Sequence, residues 1–338
     1  MRMTPARLLP RIRLFVTLLL VAAPLSAAPR LTVQMFDVGQ GDAILITCPD
    51  GAHQILIDSG CNKYPNSQVN FHRELAAALA NDPNHTLELA VASHPHSDHL
   101  GGMFWALTNF HVAGYLDNGR PYTTTLWKKI QAERVTQTNA HTLKYYSGAE
   151  LSGQVIDVCP LMKITVIEPA ADNPKLKNPN DLSVGVRVDY LGKSFLFVGD
   201  MEDHAEETWL KKLAPELRKL ADVDVLKVGH HGSDTSSTPD FVALVSPKLA
   251  LVSCGAPEVG TNAGYKHPRL STVETYRKWF AAHPPAAIDP VTRQVSAYDA
   301  DTEEWVKVTR PQGVYFTSLD GNLTVQTDGV NYYVSRTK

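Results

Sequence analysis

The segment that most restricts the fold is residues 87–102. Residues 87–92 read as a buried strand that runs directly into Ser93-His94-Pro95-His96-Ser97-Asp98-His99-Leu100-Gly101-Gly102. Three imidazoles and a carboxylate thus fall within six consecutive positions. In a turn after a strand, alternate residues converge on one point while the next pair aims at a second, a geometry suited to two metal ions side by side. Imidazole nitrogen and carboxylate oxygen are donors that zinc and similar divalent ions take. Gly101-Gly102 lets the backbone come close and open a helix, whose amide end would favour an anion. A polar surface loop with chance histidines is the competing reading, since the chain holds 13 His.

The same placement recurs along the chain. Strand-like runs at 31–36, 43–47 and 54–57 lead to Asp58, with Pro49-Asp50-Gly51 marking a turn between the last two. A helix is expected near 71–80 and another at 125–134, although 111–160 is otherwise the least readable stretch. Strands resume at 163–167, 184–190 and 194–198, the last followed by Gly199-Asp200. A helix over 204–213 precedes a strand over 224–228, which ends at His230-His231. Thr238-Pro239 opens a helix, with Thr as N-cap and Pro in the first turn. Residues 249–252 form a buried strand, and Ser271 with Glu274 reads as a capping box. From Val291 onward the chain is rich in β-formers and turns. Strand runs at both ends with helices interspersed predict an α/β fold of two packed sheets covered by helices. Every chemically interesting residue falls just after a strand, where a rigid scaffold presents a site.

The first residues stand apart. Arg2, Arg7, Arg11 and Arg13, an apolar run over 14–23 and the small residues Ser26-Ala27-Ala28 have the pattern of a secretory signal peptide over residues 1–28. The apolar run is short for a bilayer span. Periplasmic or secreted localisation is the expectation, with no stable membrane insertion after cleavage. Without those four Arg, 28 Lys and Arg face 35 Asp and Glu, a net charge of −7. Such a chain is not an obvious non-specific nucleic-acid binder, so a polyanion would have to be attracted by metal ions or a small basic patch. Hydrophobic residues at 43% and charged residues at 20% describe a folded globular protein. Cys48, Cys61, Cys159 and Cys254 allow three full pairings and show no CxxC spacing, which favours buried thiols with one bridge over a thiolate zinc site.

His94-x-His96-x-Asp98-His99 resembles the signature of the metallo-β-lactamase superfamily. Asp58 in Leu56-Ile57-Asp58-Ser59-Gly60, Asp200 in Phe197-Val198-Gly199-Asp200 and His230-His231-Gly232-Ser233 resemble its further motifs, in the right order. A narrower similarity joins Phe36-Asp37-Val38-Gly39-Gln40-Gly41-Asp42, the His-His-Gly-Ser string and Lys266-His267-Pro268 to the hydrolase domain of ComEC-type competence proteins. The resemblance implies an αββα sandwich, one domain over residues 29–338, and two divalent metal ions, zinc or manganese. His94 and His96 would hold one ion and Asp98, His99 and His231 the other, with Asp200 between them and His230 as ligand or as partner of one. Asp37, Gln40 and Asp42 would shape the site without binding metal. Members of the wider superfamily carry a further His where this chain reads Asn178-Pro179-Asn180-Asp181-Leu182-Ser183; Asp181 is the candidate ligand there, and the site at His94 and His96 is expected to bind less tightly.

The implied reaction is hydrolysis by a metal-activated hydroxide, with Asp98, Asp200 and His267 at the chemistry. A phosphodiester, DNA or a nucleotide, ranks first as substrate. A lactam, lactone or other ester is the alternative among enzymes, and a non-catalytic metal- or nucleic-acid-binding module is the alternative outside them. The leader generates the first prediction. The mature protein is expected outside the cytoplasm with its first residue near Ala28 or Pro29. N-terminal sequencing of the fractionated protein checks this, and an intact Met1 on cytosolic protein would refute it.

Overall fold

The computed structural model describes residues 29–60, 65–80, 82, 85–286 and 289–338; the leader expected over 1–28 and Cys61 lie outside the described residues. Alternation along the strands sets the layering, because successive side chains in a strand point to opposite faces. In chain order β1 (Leu31–Met35), β2 (Ile44–Thr47), β3 (Gln54–Ile57), β4 (Leu89–Val91), β5 (Gly114–Asp117) and β6 (Lys144–Ser147) belong to a first sheet. β7 (Val155–Ile156), β8 (Met162–Ile167), β9 (Gly185–Tyr190), β10 (Lys193–Phe197), β11 (Val225–Lys227), β12 (Leu249–Val252) and β13 (Val314–Phe316) form a second. The chain then returns to the first sheet with β14 (Leu323–Thr327) and β15 (Tyr332–Arg336). The strand orders are β15-β14-β1-β2-β3-β4-β5-β6 and β13-β12-β11-β10-β9-β8-β7.

The inner faces meet in one apolar core. Val33, Ile44, Ile55, Ile57 and Val91 from the first sheet pack with Ile164, Val186, Phe195, Val225 and Leu251 from the second. The intervening residues point outward to helices. Leu45, Leu56, Ala90 and Tyr115 lie against Phe71, Leu75, Leu79, Trp127 and Ile130, from the helices Pro65–Leu79 and Thr125–Asn139. On the far side Leu196, Leu226 and Ala250 lie under Trp209, Phe241, Val245, Tyr276 and Phe280, from the helices Asp203–Lys211, Pro239–Val245 and Leu270–Ala282. The result is the expected αββα sandwich. No helix among the described residues is long and apolar enough to cross a membrane.

Strand direction places the site. β3, β4, β5 and β6 are parallel neighbours, as are β10, β11, β12 and β13. The carboxyl ends of the central strands in both sheets therefore open toward one edge of the sandwich. Three local expectations need correction. The strand over 87–92 is divided at Glu88: Thr86–Leu87 pairs with His111–Val112, and only Leu89–Val91 enters the large sheet. Ser271 and Glu274 form no capping box, because the helix begins at Leu270 with Arg269 as its N-cap; Glu274 instead pairs with Arg277. The amides of Gly101 and Gly102 donate to the carbonyls of Gly60 and Ser59, so they are not available to an anion.

A disulfide joins Cys48, just past β2, to Cys159, between β7 and β8, across the interface of the two sheets; Cys254 is a buried free thiol. The bridge closes a sequence separation of 111 residues. A loop of that size is the case in which cross-linking most restricts the unfolded chain. Cys48→Ser/Cys159→Ser is expected to lose about 2–4 kcal/mol of unfolding free energy. Urea denaturation checks this, and the wild type under reductant should show the same loss.

Candidate metal centre

The residues read from the sequence reach the site on loops whose backbone is unusually constrained. Asp58, His230 and His231 sit in the left-handed region, at φ 57°, 44° and 54°. That conformation is unfavourable for non-glycine residues, and such costs gather at functional sites. Gly41, at φ 144°, passes so close to the Asp98 carbonyl that a Cβ would lie 2.4 Å from it. That approach lets Asp42 N–H donate to Asp98 O at 3.2 Å and brings the loop after β1 under the histidine loop. Ser93 ties the two sheets together: its carbonyl accepts Val184 N–H at 2.9 Å, while its own N–H and hydroxyl donate to Asp58 at 2.8 and 2.7 Å.

The side-chain hydrogen bonds aim two imidazoles at one point. His99 Nδ1 lies 2.7 Å from Asp58 Oδ2, and His231 Nδ1 lies 2.9 Å from the Ser253 carbonyl. In the neutral form, with the proton held on each Nδ1, the Nε2 lone pairs face the opposite way. They lie 3.2 Å from each other. Asp200 approaches both, with Oδ2 at 3.0 Å from His99 Nε2 and Oδ1 at 3.3 Å from His231 Nε2. Asp98 Oδ2 lies 3.7 Å from His231 Nε2. Asp98, His99, Asp200 and His231 thus offer ligand atoms within 4.8 Å of one another. His94 and His96 lie alongside: His94 Nε2 is 3.1 Å from His96 Nδ1 and 3.8 Å from Asp200 Oδ2.

The electrostatics of this group call for a cation. Burial opposes a charge on His99, yet Asp200 and Asp58 outweigh it and hold the imidazole well above its ordinary range. His231 is raised in the same way, against burial, by Asp200 and Asp42. Asp200 is held well below the carboxylate range although burial pushes the other way, by His231, His99 and His230. His94 is lowered by burial and by His99, so it stays neutral. In the protein alone, protons on His99 and His231 balance the carboxylates. A divalent ion would fit that role, since the donors are the nitrogen and oxygen types such ions take and their protons would leave on binding. Asp42, Asp58 and His99 form a second close group. It is filled already: Lys227 Nζ is ion-paired to Asp42, and Asp58 accepts a hydrogen bond from His99 Nδ1.

Lys227 does not stand out in the sequence, where it reads as one polar residue in the apolar run Val225-Leu226-Lys227-Val228. It is fully buried at the end of β11, donates to the Gly199 carbonyl at 2.8 Å and stands 3.7 Å from Asp200 Oδ1. Its signal is a lysine inside a strand that should carry none, since Lys is almost never buried unpaired. Glu202 is likewise silent in the sequence. It accepts from Asn180, Thr235 and Asn178 and lies 2.9 Å from His230 Nδ1. His230 Nε2 is thereby turned to within 3.8 Å of Asp200 Oδ2.

The remaining candidates lie around this cluster or outside it. Asp181 is outside the close group; its Oδ1 accepts Ala205 N–H at 3.1 Å in the first turn of the helix Asp203–Lys211. The segment 178–183 thus holds Glu202 and a helix start, and its Ser183 Oγ accepts Asp200 N–H at 3.2 Å. His267 is 4% exposed, its ring centroid is 5.2 Å from that of His230, and its Nδ1 is buried with no hydrogen-bond partner. Burial, then His230 and His231, push it down to about 2, so it is neutral. Asp37 is paired with Lys338, and Gln40 Oε1 accepts Gly255 N–H at 3.3 Å.

Lys227→Met is expected to lower the unfolding free energy of the metal-free protein by about 3–5 kcal/mol, because Asp42 would stay buried without its cation. Denaturant unfolding in the presence of a chelator checks the size of the loss. An unchanged midpoint would show that Asp42 finds its balance elsewhere.

Comparison with known proteins agrees with this geometry. Residues 36–256 match the metallo-beta-lactamase superfamily. The chain is 26% identical over 256 residues to ComE operon protein 3 of Bacillus subtilis, covering 73% of this chain and 30% of that protein. It is 29% identical over 236 residues to competence protein ComA of Neisseria gonorrhoeae, covering 70% and 28% respectively. The chain therefore spans less than a third of the length of these relatives. Among solved structures it is similar to human tRNase Z, short form, at 15% identity and a TM-score of 0.39, over 65% of this chain and 91% of that one. With the match covering the strands and loops that build the histidine and aspartate cluster, the chain belongs to the metallo-beta-lactamase superfamily.

Proposed function

We propose that this chain is an exported metal-dependent hydrolase acting on phosphodiesters, with residues 29–338 as its hydrolase domain. The observation that carries the reading is the convergence of His99 Nε2, His231 Nε2 and the Asp200 carboxylate within 3.0–3.3 Å. Asp98, His99 and His231 would hold one divalent ion and His94 and His96 a second, with Asp200 shared; zinc or manganese suits these donors. Bound there, such ions lower the pKa of water and balance charge on an oxygen under attack. The chain's own residues do the rest. Asp58 and the Ser253 carbonyl fix the tautomers of His99 and His231. Glu202 fixes His230 at the rim. His267, neutral and beside His230, would contact the substrate without binding metal. Similarity to competence proteins favours a phosphodiester, DNA or a nucleotide, over a lactam or lactone.

The test is metal-reconstituted hydrolysis on the mature protein with phosphodiester, lactam and lactone probes in parallel. Asp200→Asn keeps the shape of the side chain but removes its charge. It is expected to reduce metal stoichiometry and to lower phosphodiester turnover by on the order of a hundredfold or more, with circular dichroism unchanged. His267→Ala should keep its metal content while turnover falls. Full activity in Asp200→Asn would overturn the shared-carboxylate arrangement, and metal loss in His267→Ala would make that residue a ligand. Metal binding with no hydrolysis of any probe would favour a non-catalytic binding module.

A further inference from the structure

Beside the metal centre lies a groove that none of the site residues occupies. It encloses about 770 Å³ and is lined by Arg120, Tyr122, Trp127, Lys128, Arg134 and Tyr145 among others. Its position is set by the sheet. β5 is the parallel neighbour of β4. The loop after β5, which carries Arg120 and Tyr122, therefore emerges next to the histidine loop after β4. A second hollow of about 510 Å³, over His96, Ser97 and Asp98, forms the mouth of the metal centre. Tyr122 lines both hollows, and its ring centroid is 6.2 Å from that of His96.

The chemistry of the groove differs from that of the rest of the chain. Arg120, Lys128 and Arg134 bring three cations to one place in a protein whose residues 29–338 carry a net charge of −7. The carboxylates nearby are turned to internal partners. Glu168 accepts from Arg120 at 3.0 Å, and Asp117 accepts from Tyr145 Oη and Gln131 Nε2, both at 2.8 Å. These bonds hold Arg120 and Tyr145 in fixed positions while each guanidinium keeps N–H donors to spare. The Arg134 guanidinium lies 3.9 Å over the Tyr145 ring. Lys128 is exposed on the helix Thr125–Asn139. Cations that track a backbone, interleaved with aromatic rings, are what a sequence-tolerant site for single strands requires.

We propose that this groove binds a single-stranded nucleic acid beyond the scissile phosphate, with Arg120, Lys128 and Arg134 taking successive phosphates and Tyr122 marking the passage from groove to metal centre. The proposal rests on the phosphodiesterase reading only for the direction in which the strand runs; binding in the groove can be measured without turnover. It also names the small basic patch that an acidic chain needs if it is to hold a polyanion.

The experiment is fluorescence anisotropy on the metal-loaded mature protein, with a labelled, phosphorothioate-linked oligothymidylate of about eight nucleotides, in a salt series. Lys128→Glu is expected to weaken binding about five- to tenfold and to lower the salt slope by about one. Lys307→Glu, an equal charge change on an exposed lysine of the hairpin strand Glu304–Thr309, which does not line the groove, should leave binding as in the wild type. The octamer should bind at least about tenfold more tightly than a dinucleotide, since several phosphates contribute. Equal binding by Lys128→Glu and wild type, equal binding of octamer and dinucleotide, or equal binding of duplex and single strand would each overturn the proposal. Turnover of bis(p-nitrophenyl) phosphate by the wild type is measured separately. Hydrolysis without any Lys128 effect on binding removes the groove and keeps the phosphodiesterase reading. Lys128-dependent binding without hydrolysis under any metal keeps the groove and removes that reading.

Discussion

Asp42, Asp58 and Asp200 are each about 1% exposed and gather at one edge of the sandwich, Asp42 and Asp200 within reach of both His99 and His231 and Asp58 within reach of His99. Buried carboxylates without compensation are strongly unfavourable. Here the compensation is explicit: Lys227 for Asp42, the His99 Nδ1 proton for Asp58, and His99 with His231 for Asp200. Asp42, Asp58 and His99 come from the first sheet, and Asp200, Lys227 and His231 from the second. Asp42 is balanced across the sheets by Lys227 and His231, and Asp200 in part by His99. The apolar core brings the sheets together, and the charge cluster specifies how their edges meet.

Parallel strand ends make that meeting possible. β3, β4 and β5 deliver Asp58, the histidine loop and Arg120 on adjacent loops, and β10 and β11 deliver Asp200 and His230-His231 opposite them. Asp58, His230 and His231, just past those strand ends, stand in the left-handed region of the backbone. The cost of that backbone is offset by the hydrogen bonds around it, such as His230 N–H to the Gly199 carbonyl at 3.3 Å and Ser59 N–H to the His99 carbonyl at 2.7 Å.

The centre is a candidate metal site whose charges would let a cation replace protons. Raised imidazoles and a depressed carboxylate between them describe a cluster that collects positive charge. The outer partners, Asp58, the Ser253 carbonyl and Glu202, hold each ring by its Nδ1 and leave Nε2 toward the cluster. This chain spans less than a third of the length of its competence-protein relatives.

Much of this was legible in the amino-acid order. Strand-like runs at both ends of the chain, with helices interspersed, predicted the two sheets. Thr238-Pro239 predicted a helix start, and Thr238 does accept Phe241 N–H. His94, His96, Asp98 and His99 were readable because local spacing alone puts them on one loop. Lys227, Glu202 and the basic groove were not, since each acquires its meaning from residues distant in sequence: Asp42 for Lys227, Asn178 and Thr235 for Glu202, and Tyr145 and Glu168 for the groove. The pairing of Cys48 with Cys159 was one of several arrangements open to four cysteines, and only the apposition of the sheets selected it. Asp181 read as a ligand by its place in the chain; in the fold its Oδ1 accepts Ala205 N–H at the start of the helix Asp203–Lys211. The sequence by itself determined which donors exist and which strand end carries them. Tertiary structure decided which nitrogen of each imidazole faces inward, because that choice depends on a hydrogen bond to Nδ1 from another part of the chain.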